Sequence, residues 1–440
     1  MQVDRLTGQQ IKRLQANKLA MLIERLRDNP FYTERLKGVS TDGDMHQTLR
    51  AIEPVDKEQI LRDQMDNPPY GNRLNVPKER VAMAHTTAGT SGLGQEVHAL
   101  TWRDVEAAGY LSSFAFRWAG LRYSEPAAFN VGFSNSSGGN AMLRGIQAIG
   151  QTPFLIGQSG FADRLKILAG YDPVGLYGTP SAINGLLRTA EEIGFDIKKE
   201  LASLRFILVS AEPFPIEWAE RMEEAWGVRL LEDYGATQSA SSICASVCEH
   251  GAVVNGKRGN MHLFEWSFLF EILDPETGNP VKEGEPGELY ITNLDKEASP
   301  LLRFRTRDRV KYTGRKCACG RELMSIESGS ITRYDDLMKI KGQNVWPADM
   351  EKALFSLPEI REFLGEVAIG PKGRDELYLQ VALAEGEAES VENKVRSMFK
   401  SQFNISPQLR FVHVTELPQW QTPERKSRRF IDKRQEGLAR

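Results

Sequence analysis

Arg205-Phe206-Ile207-Leu208-Val209-Ser210-Ala211-Glu212-Pro213 is the stretch that decides the fold. Its short β-branched run reads as a strand that stops at a polar loop. A segment rich in Trp and Glu then reads as a helix to Trp226, and Val228–Leu231 reads as a second strand ending in Glu232-Asp233-Tyr234-Gly235. Strand, helix and strand at this spacing predict an α/β sheet. Ligands of such sheets bind beyond the carboxyl ends of the strands, where both polar loops fall.

Working outward, apolar strand-like runs alternate with helical ones from about residue 94 to residue 235. Upstream, Ile11, Leu14, Leu19, Leu22, Ile23 and Leu26 follow helical spacing and predict an amphipathic helix packed on the core. Short helical stretches broken at Pro30, Pro54 and Pro68-Pro69 lead to a Gly/Thr/Ser-rich loop, Thr86 to Gly94. Downstream the pattern turns to hairpins: Phe268–Leu273, a turn at Asp274–Gly278, and Gly287–Leu294, an antiparallel β-rich subdomain. Beyond residue 335 a helix near Met350, strands near Phe363–Ile369 and Glu376–Leu383, a helix at Glu389–Phe403 and a strand at Leu409–Val414 predict a compact α+β unit. The expected architecture is α/β: a large N-terminal domain, residues 1–331, and a small C-terminal domain, residues 332–440, with the boundary near 332–336.

Composition agrees with two domains. A chain of 440 residues exceeds what one hydrophobic core supports, and 41% hydrophobic with 26% charged residues is ordinary globular usage. Lys plus Arg number 56 against 59 Asp plus Glu, so no basic field gathers nucleic acid. The polar start, Met1 to Arg13, and the lack of a run of about 18 apolar residues predict a cytoplasmic protein that does not enter a membrane. The cysteines, Cys244, Cys248, Cys317 and Cys319, form two close pairs, which in a reducing compartment bind metal more often than they form disulfides.

The loop Thr87-Ala88-Gly89-Thr90-Ser91-Gly92 offers backbone N–H groups and small hydroxyls that suit a polyphosphate. It lacks the Lys and Ser/Thr of a Walker A loop, since Leu93, Gly94 and Gln95 follow. It resembles the phosphate loop of the phenylacetate–CoA ligases, members of the adenylate-forming superfamily. Ala211-Glu212-Pro213 resembles their adenine loop, Tyr234-Gly235-Ala236-Thr237 their Tyr-Gly segment, and Arg303-Phe304-Arg305-Thr306-Arg307-Asp308 their arginine-rich segment. Arg333-Tyr334-Asp335-Asp336, followed by Lys341-Gly342-Gln343-Asn344, is similar to their hinge, and Lys426-Ser427-Arg428-Arg429 to their C-terminal lysine segment. The six segments occur in family order along nearly the whole chain.

The resemblance implies an AMP-forming acid–thiol ligase. ATP and a carboxylic acid give an acyl-adenylate, and coenzyme A then takes the acyl group. Lys426 would bridge the acid's carboxylate and the α-phosphate, Arg333 would hold phosphate, and Asp335 would mark the hinge of a mobile small domain. Asp308 would accept from both ribose hydroxyls. Ala211, Glu212, Pro213, Asp233 and Tyr234 would shape the adenine slot, while Thr87, Gly89, Thr90, Ser91 and Gly92, with Gly235, Thr237 and Gln238, would face the phosphates and Mg²⁺. Two anions meet in this reaction, so positive partners and backbone donors are what the chemistry requires. The family usually has Glu where this chain has Gln238, which supplies an oxygen but no charge.

Cys317 and Cys319, with Cys248 and His262, resemble a structural zinc site of some family members; Cys244 and His250 are rival upstream ligands. The acid-binding wall is expected to include Phe133, Asn135, Ser136, Gly138 and Gly139, facing Tyr234, Gly235 and Ala236. Its glycines leave room for a flat ring and its polar groups suit a substituent, so a small aromatic acid is expected. A homodimer is a further expectation of the resemblance. Two rival functions stay open: an adenylating enzyme that passes its acyl group to an amine or carrier-protein thiol, and a non-catalytic ligand-binding homologue.

Overall fold

The computed structural model describes residues 2–87, 94–133, 137–370, 373–384, 386–418 and 429–434. Five parallel strands lie in the order Thr152–Leu155, Pro126–Asn130, Gly175–Gly178, Phe206–Val209 and Arg229–Ala236. Each crossover carries a helix: Ser137–Ala148, Phe161–Tyr171, Pro180–Ile193 and Ile216–Trp226. Parallel strands require such crossovers, and helices on the sheet bury both faces, so Phe206–Val209 is buried at every position.

The strand expected over Val228–Leu231 runs on to Ala236. Its second half pairs antiparallel with Ser242–Val247, with a register shift between Tyr234 and Gly235. At Gly235 a Cβ would lie 2.4 Å from the Ser242 carbonyl oxygen, so only glycine allows this approach. From there the sheet becomes antiparallel, passing through Asn260–Leu263, Ser325–Glu327, Phe304–Gly314, Pro286–Asn293 and Phe268–Leu273. The polar loops of the parallel half thus meet the hairpins of the antiparallel half along a continuous sheet.

The helix Gly8–Leu26 begins at a capping box made by Thr7 and Gln10 and buries Ile11, Leu19, Leu22, Ile23 and Leu26. Gln15 also lies on this face, whereas Leu14 is half-buried. The Gln15 amide donates to the carbonyls of Glu265 (3.1 Å) and Phe268 (2.9 Å), satisfying a loop that apolar packing would have orphaned. Leu19 to Leu26 share a second core with Tyr32, Leu301 and Phe304.

Past residue 337 the chain makes a hairpin, Met338–Ile340 with Gln343–Val345, turned by Lys341 (φ 50°) and Gly342 (φ 81°). Two positive φ values match the hairpin turn whose twist fits the strands. A four-stranded sheet follows in the order Gln408–Phe411, Asp375–Leu383, Ile360–Ile369 and Phe430–Asp432, carrying helices Pro347–Phe355 and Ala388–Phe403. Phe363, Val381, Val395, Phe399 and Phe430 belong to a core separate from the others. Thr332–Arg333, however, still pairs with Asp308–Arg309 of the large sheet. Among the described residues no helix is long and apolar enough to cross a membrane.

Candidate active site

Tyr234, Asp308 and Arg333 come from three strands and meet at one point. Asp308 and Arg333 are cross-strand partners, with Arg333 Nε 3.8 Å from Asp308 Oδ1. The Tyr234 hydroxyl donates a short hydrogen bond to Asp308 Oδ2. Burial, reinforced by the Asp308 charge, holds the phenol well above its ordinary range, so Tyr234 remains a donor. Each carboxylate oxygen has further lone pairs, which leaves Asp308 able to accept from hydroxyls of a sugar. A second Arg333 nitrogen donates to Asp335 Oδ2 at 3.2 Å.

The loop after Phe206–Val209 adjoins this point. Ala211 has φ 74°, a conformation that costs a non-glycine residue about 1–2 kcal/mol and turns the chain sharply off the strand. Glu212, before Pro213, accepts from the Ser181 amide (3.0 Å) and hydroxyl (2.6 Å). Asp233 accepts from Ser210 at 2.6 Å through Oδ1, while Oδ2 is buried with no partner among the described residues. Burial pushes the Asp233 carboxyl up to about 7 and that of Glu232 up to about 8, each opposed by a hydrogen bond. An orphaned acceptor beside a polar loop fits an amino-bearing ring such as adenine.

On the phosphate side, Thr87 and Glu96 close the base of the Gly-rich loop: the Thr87 amide donates to the Glu96 carbonyl, and the Glu96 amide to Thr87 Oγ1, both at 3.0 Å. Gly89, Thr90, Ser91 and Gly92 lie outside the described residues, as does Lys426. The Gln238 amide nitrogen is 2.8 Å from both oxygens of Glu96, whose side chain is fully buried. Sequence reasoning missed Glu96. Its signal was alternation, since Glu96, His98 and Leu100 share the buried face of one strand and its lead-in, where a carboxylate is unexpected. The oxygens of Gln238 and Thr237 are hard donors of the kind that suit Mg²⁺, with the buried Glu96 carboxylate behind the amide.

Thr237 and Ser137 hydroxyls are 3.3 Å apart, which brings the start of the Ser137–Ala148 helix against the Tyr-Gly segment that includes Ala236. Of the expected wall, Phe133, Gly138 and Gly139 are described, whereas Asn135 and Ser136 are not. Among the described residues nothing lies within 4 Å of a Cβ built on Gly138. A cavity beside this helix is lined by His85, Asn140, Ala141, Arg144 and Ser241, among others. His85 is 5% exposed with neither ring nitrogen partnered among the described residues, and burial holds it down to about 4, so it is neutral and carries one donor and one acceptor.

Far along the sheet, Cys248, His262, Cys317 and Cys319 offer ligand atoms all within 4.8 Å of one another. Cys248 and Cys317 sulfurs are 3.9 Å apart, and Cys319 Sγ is 3.4 Å from His262 Nε2. Metal–sulfur bonds of about 2.3 Å at a tetrahedral angle would space sulfurs by roughly 3.8 Å, and a nitrogen slightly nearer. Cys244 and His250, the rival upstream ligands, are not among the four residues of this group. The four atoms suit a tetrahedral ion.

A final cluster lies where the two halves touch. Arg429 donates to Glu362 at 2.7 and 3.1 Å and sits 3.7 Å from Glu351, while Glu212 of the large half acts on both Arg429 and Glu351. Burial pushes Glu351 up to about 7 despite the arginine.

A family model described as AMP-binding enzyme matches residues 137–294, and one described as AMP-binding enzyme C-terminal domain matches residues 342–434. Together they span more than half of the chain. The phenylacetate–coenzyme A ligase of Thermus thermophilus is 28% identical over 388 residues, covering 87% of this chain and 84% of that protein. Among solved structures, 2-hydroxyisobutyryl-CoA ligase in the postadenylation state with 2-HIB-AMP superposes with a TM-score of 0.87 at 20% identity, covering 99% of this chain and 92% of that one. The same ligase in its thioesterification state gives 0.71, with 21% identity and the same coverage.

Proposed function

The chain belongs to the AMP-binding enzymes as a phenylacetate–CoA ligase-like member of the adenylate-forming superfamily, and from that premise we propose which of its residues carry out acid activation and on what acid. The reaction is ATP-dependent: the acid's carboxylate attacks the α-phosphorus, pyrophosphate leaves, and the thiol of coenzyme A displaces AMP from the acyl-adenylate. The observation that carries the residue roles is the meeting of Tyr234, Asp308 and Arg333 at the carboxyl edge of the strand Arg229–Ala236. Asp308 grips the ribose and Tyr234 orients that carboxylate. Arg333 faces the phosphates, and the orphaned oxygen of Asp233 receives the adenine amino group. Mg²⁺, when bound, neutralises charge on the phosphates. Lys426 supplies the cation between the two reacting anions, and Asp335 marks the pivot about which the residues beyond Arg333 turn between the steps, since Thr332–Arg333 is paired with the large sheet.

The acid is aromatic and carries a polar substituent, for which neutral His85 and Asn140 provide hydrogen bonds beside the open space at Gly138. The cysteine and histidine cluster holds a structural Zn²⁺ that ties the antiparallel loops together and takes no part in the reaction.

The decisive experiment is acid-dependent ATP–pyrophosphate exchange across a panel of aromatic and aliphatic acids, with Lys426→Ala as control. Exchange with a substituted aromatic acid that drops at least about a hundredfold in the variant is expected. Undiminished exchange in Lys426→Ala would overturn the lysine's role, and activity confined to aliphatic acids would overturn the aromatic reading.

A further inference from the structure

We propose that Glu96 is a positioning residue for the nucleotide reaction: it takes over, from below, the charge that Gln238 lacks, and it aims the Gln238 oxygen at the phosphate side. The inference rests on the adenylation reading above and deepens it. Glu96 lies outside every segment that the sequence marks as functional.

The geometry is specific. The Gln238 amide nitrogen is within 2.8 Å of both Glu96 oxygens, so both N–H groups are turned inward. An amide's oxygen lies on the other side of its carbon, so Oε1 is directed away from Glu96. Gln238 is half-buried and Glu96 wholly buried, which places Glu96 beneath the amide with the oxygen on the more open side. The backbone of Glu96 is bonded in both directions to Thr87, the first residue of the phosphate loop. One residue therefore fixes both the base of that loop and the orientation of the amide.

The remaining partners of the carboxylate show why it is retained. His98 Nε2 lies 2.9 Å from Oε2, and burial holds this histidine down to about 3, so it donates as a neutral ring. Lys57 Nζ is 3.7 Å from Oε1. A buried carboxylate costs several kcal/mol unless its lone pairs are filled, and here the Gln238, His98 and Lys57 contacts fill them. A glutamate at 238 would put two carboxylates at hydrogen-bonding distance, where both cannot be ionised. Carboxylate below and amide above is thus a reciprocal arrangement: the negative charge is kept near the phosphates while the outward ligand is a neutral oxygen.

The test compares wild type with E96Q, Q238E, Q238L and the double variant E96Q/Q238E, using the full chain. Binding of α,β-methylene-ATP is followed by calorimetry across a Mg²⁺ series, which needs no turnover, alongside the unfolding midpoint. Each single variant is expected to need about tenfold more Mg²⁺ for half-maximal nucleotide binding, as loss of one charge-assisted contact predicts. The double variant is expected to return to within about threefold of wild type, because it restores one carboxylate facing one amide. Mg²⁺ midpoints unchanged in the single variants, or a double variant no better than E96Q, would overturn the proposal. If E96Q does not fold, Q238L alters only the half-buried partner, and a wild-type midpoint there overturns it equally. Wild-type protein that binds no analogue at any Mg²⁺ concentration would instead sink the adenylation reading, and this inference with it.

Discussion

The Tyr234–Asp308–Arg333 cluster, proposed above to grip the sugar, and the sulfur cluster are both convergences of four or fewer side chains, yet they are held together by different forces. Tyr234, Asp308 and Arg333 already satisfy one another through a hydrogen bond and an ion pair between strands that pair anyway. Cys248, His262, Cys317 and Cys319 contact one another through weak thiol contacts at 3.4–3.9 Å. The first site is preorganised by the fold and spends nothing on assembly when a nucleotide arrives. The second, if it takes up the structural ion proposed above, would contribute stability through that ion.

That contrast can be broken in several ways. The largest effect is expected for Asp308→Ala, which removes the group proposed to accept from ribose: exchange kcat/KM should fall about 10²–10³-fold with little change in unfolding midpoint, because the strands still pair. A midpoint loss as large as the activity loss would mean that Asp308 is structural. Next, Cys319→Ser or prolonged chelation should lower the unfolding midpoint by on the order of 10 °C while exchange per folded molecule at low temperature stays the same. If chelated protein keeps its midpoint, the cluster holds no structural ion. Tyr234→Phe should raise the KM for ATP about tenfold, the worth of one hydrogen bond to a charged group, and leave stability near wild type.

The smallest and sharpest effect concerns pH. The folded value of Asp233, about 7, lies above its ordinary 3.8, so the folded protein keeps a proton that the unfolded chain has lost. Its contribution to stability is complete below about pH 4 and is lost as pH rises through about 7. Asp233→Asn should flatten that part of the stability profile, and an unaltered slope in denaturant titrations would show that Asp233 ionises normally in the folded state.

The sequence made the parallel strands legible because Phe206–Val209 is apolar throughout, while Tyr234, Asp308 and Arg333 were singled out by the family resemblance of their segments, and the structure brings the three together. Other features needed the folded chain. Arg229–Ala236 outruns its apolar part since Asp233 to Ala236 pair with Ser242 to Ser246, a gain no local pattern records. Gln15 reads as a polar interruption of a helix face until the carbonyls it caps are in place, 250 and 253 residues away. Glu96 and Gln238, 142 residues apart, become partners only when the hairpin closes beneath the Tyr-Gly segment.

Thr332–Arg333 is stitched to Asp308–Arg309, so any swing of the C-terminal half has to begin after Arg333. An arginine facing the nucleotide would then stay behind as a doorkeeper while the lysine departs, and the reactive mixed anhydride would wait under guard in one chamber until the thiol reaches it.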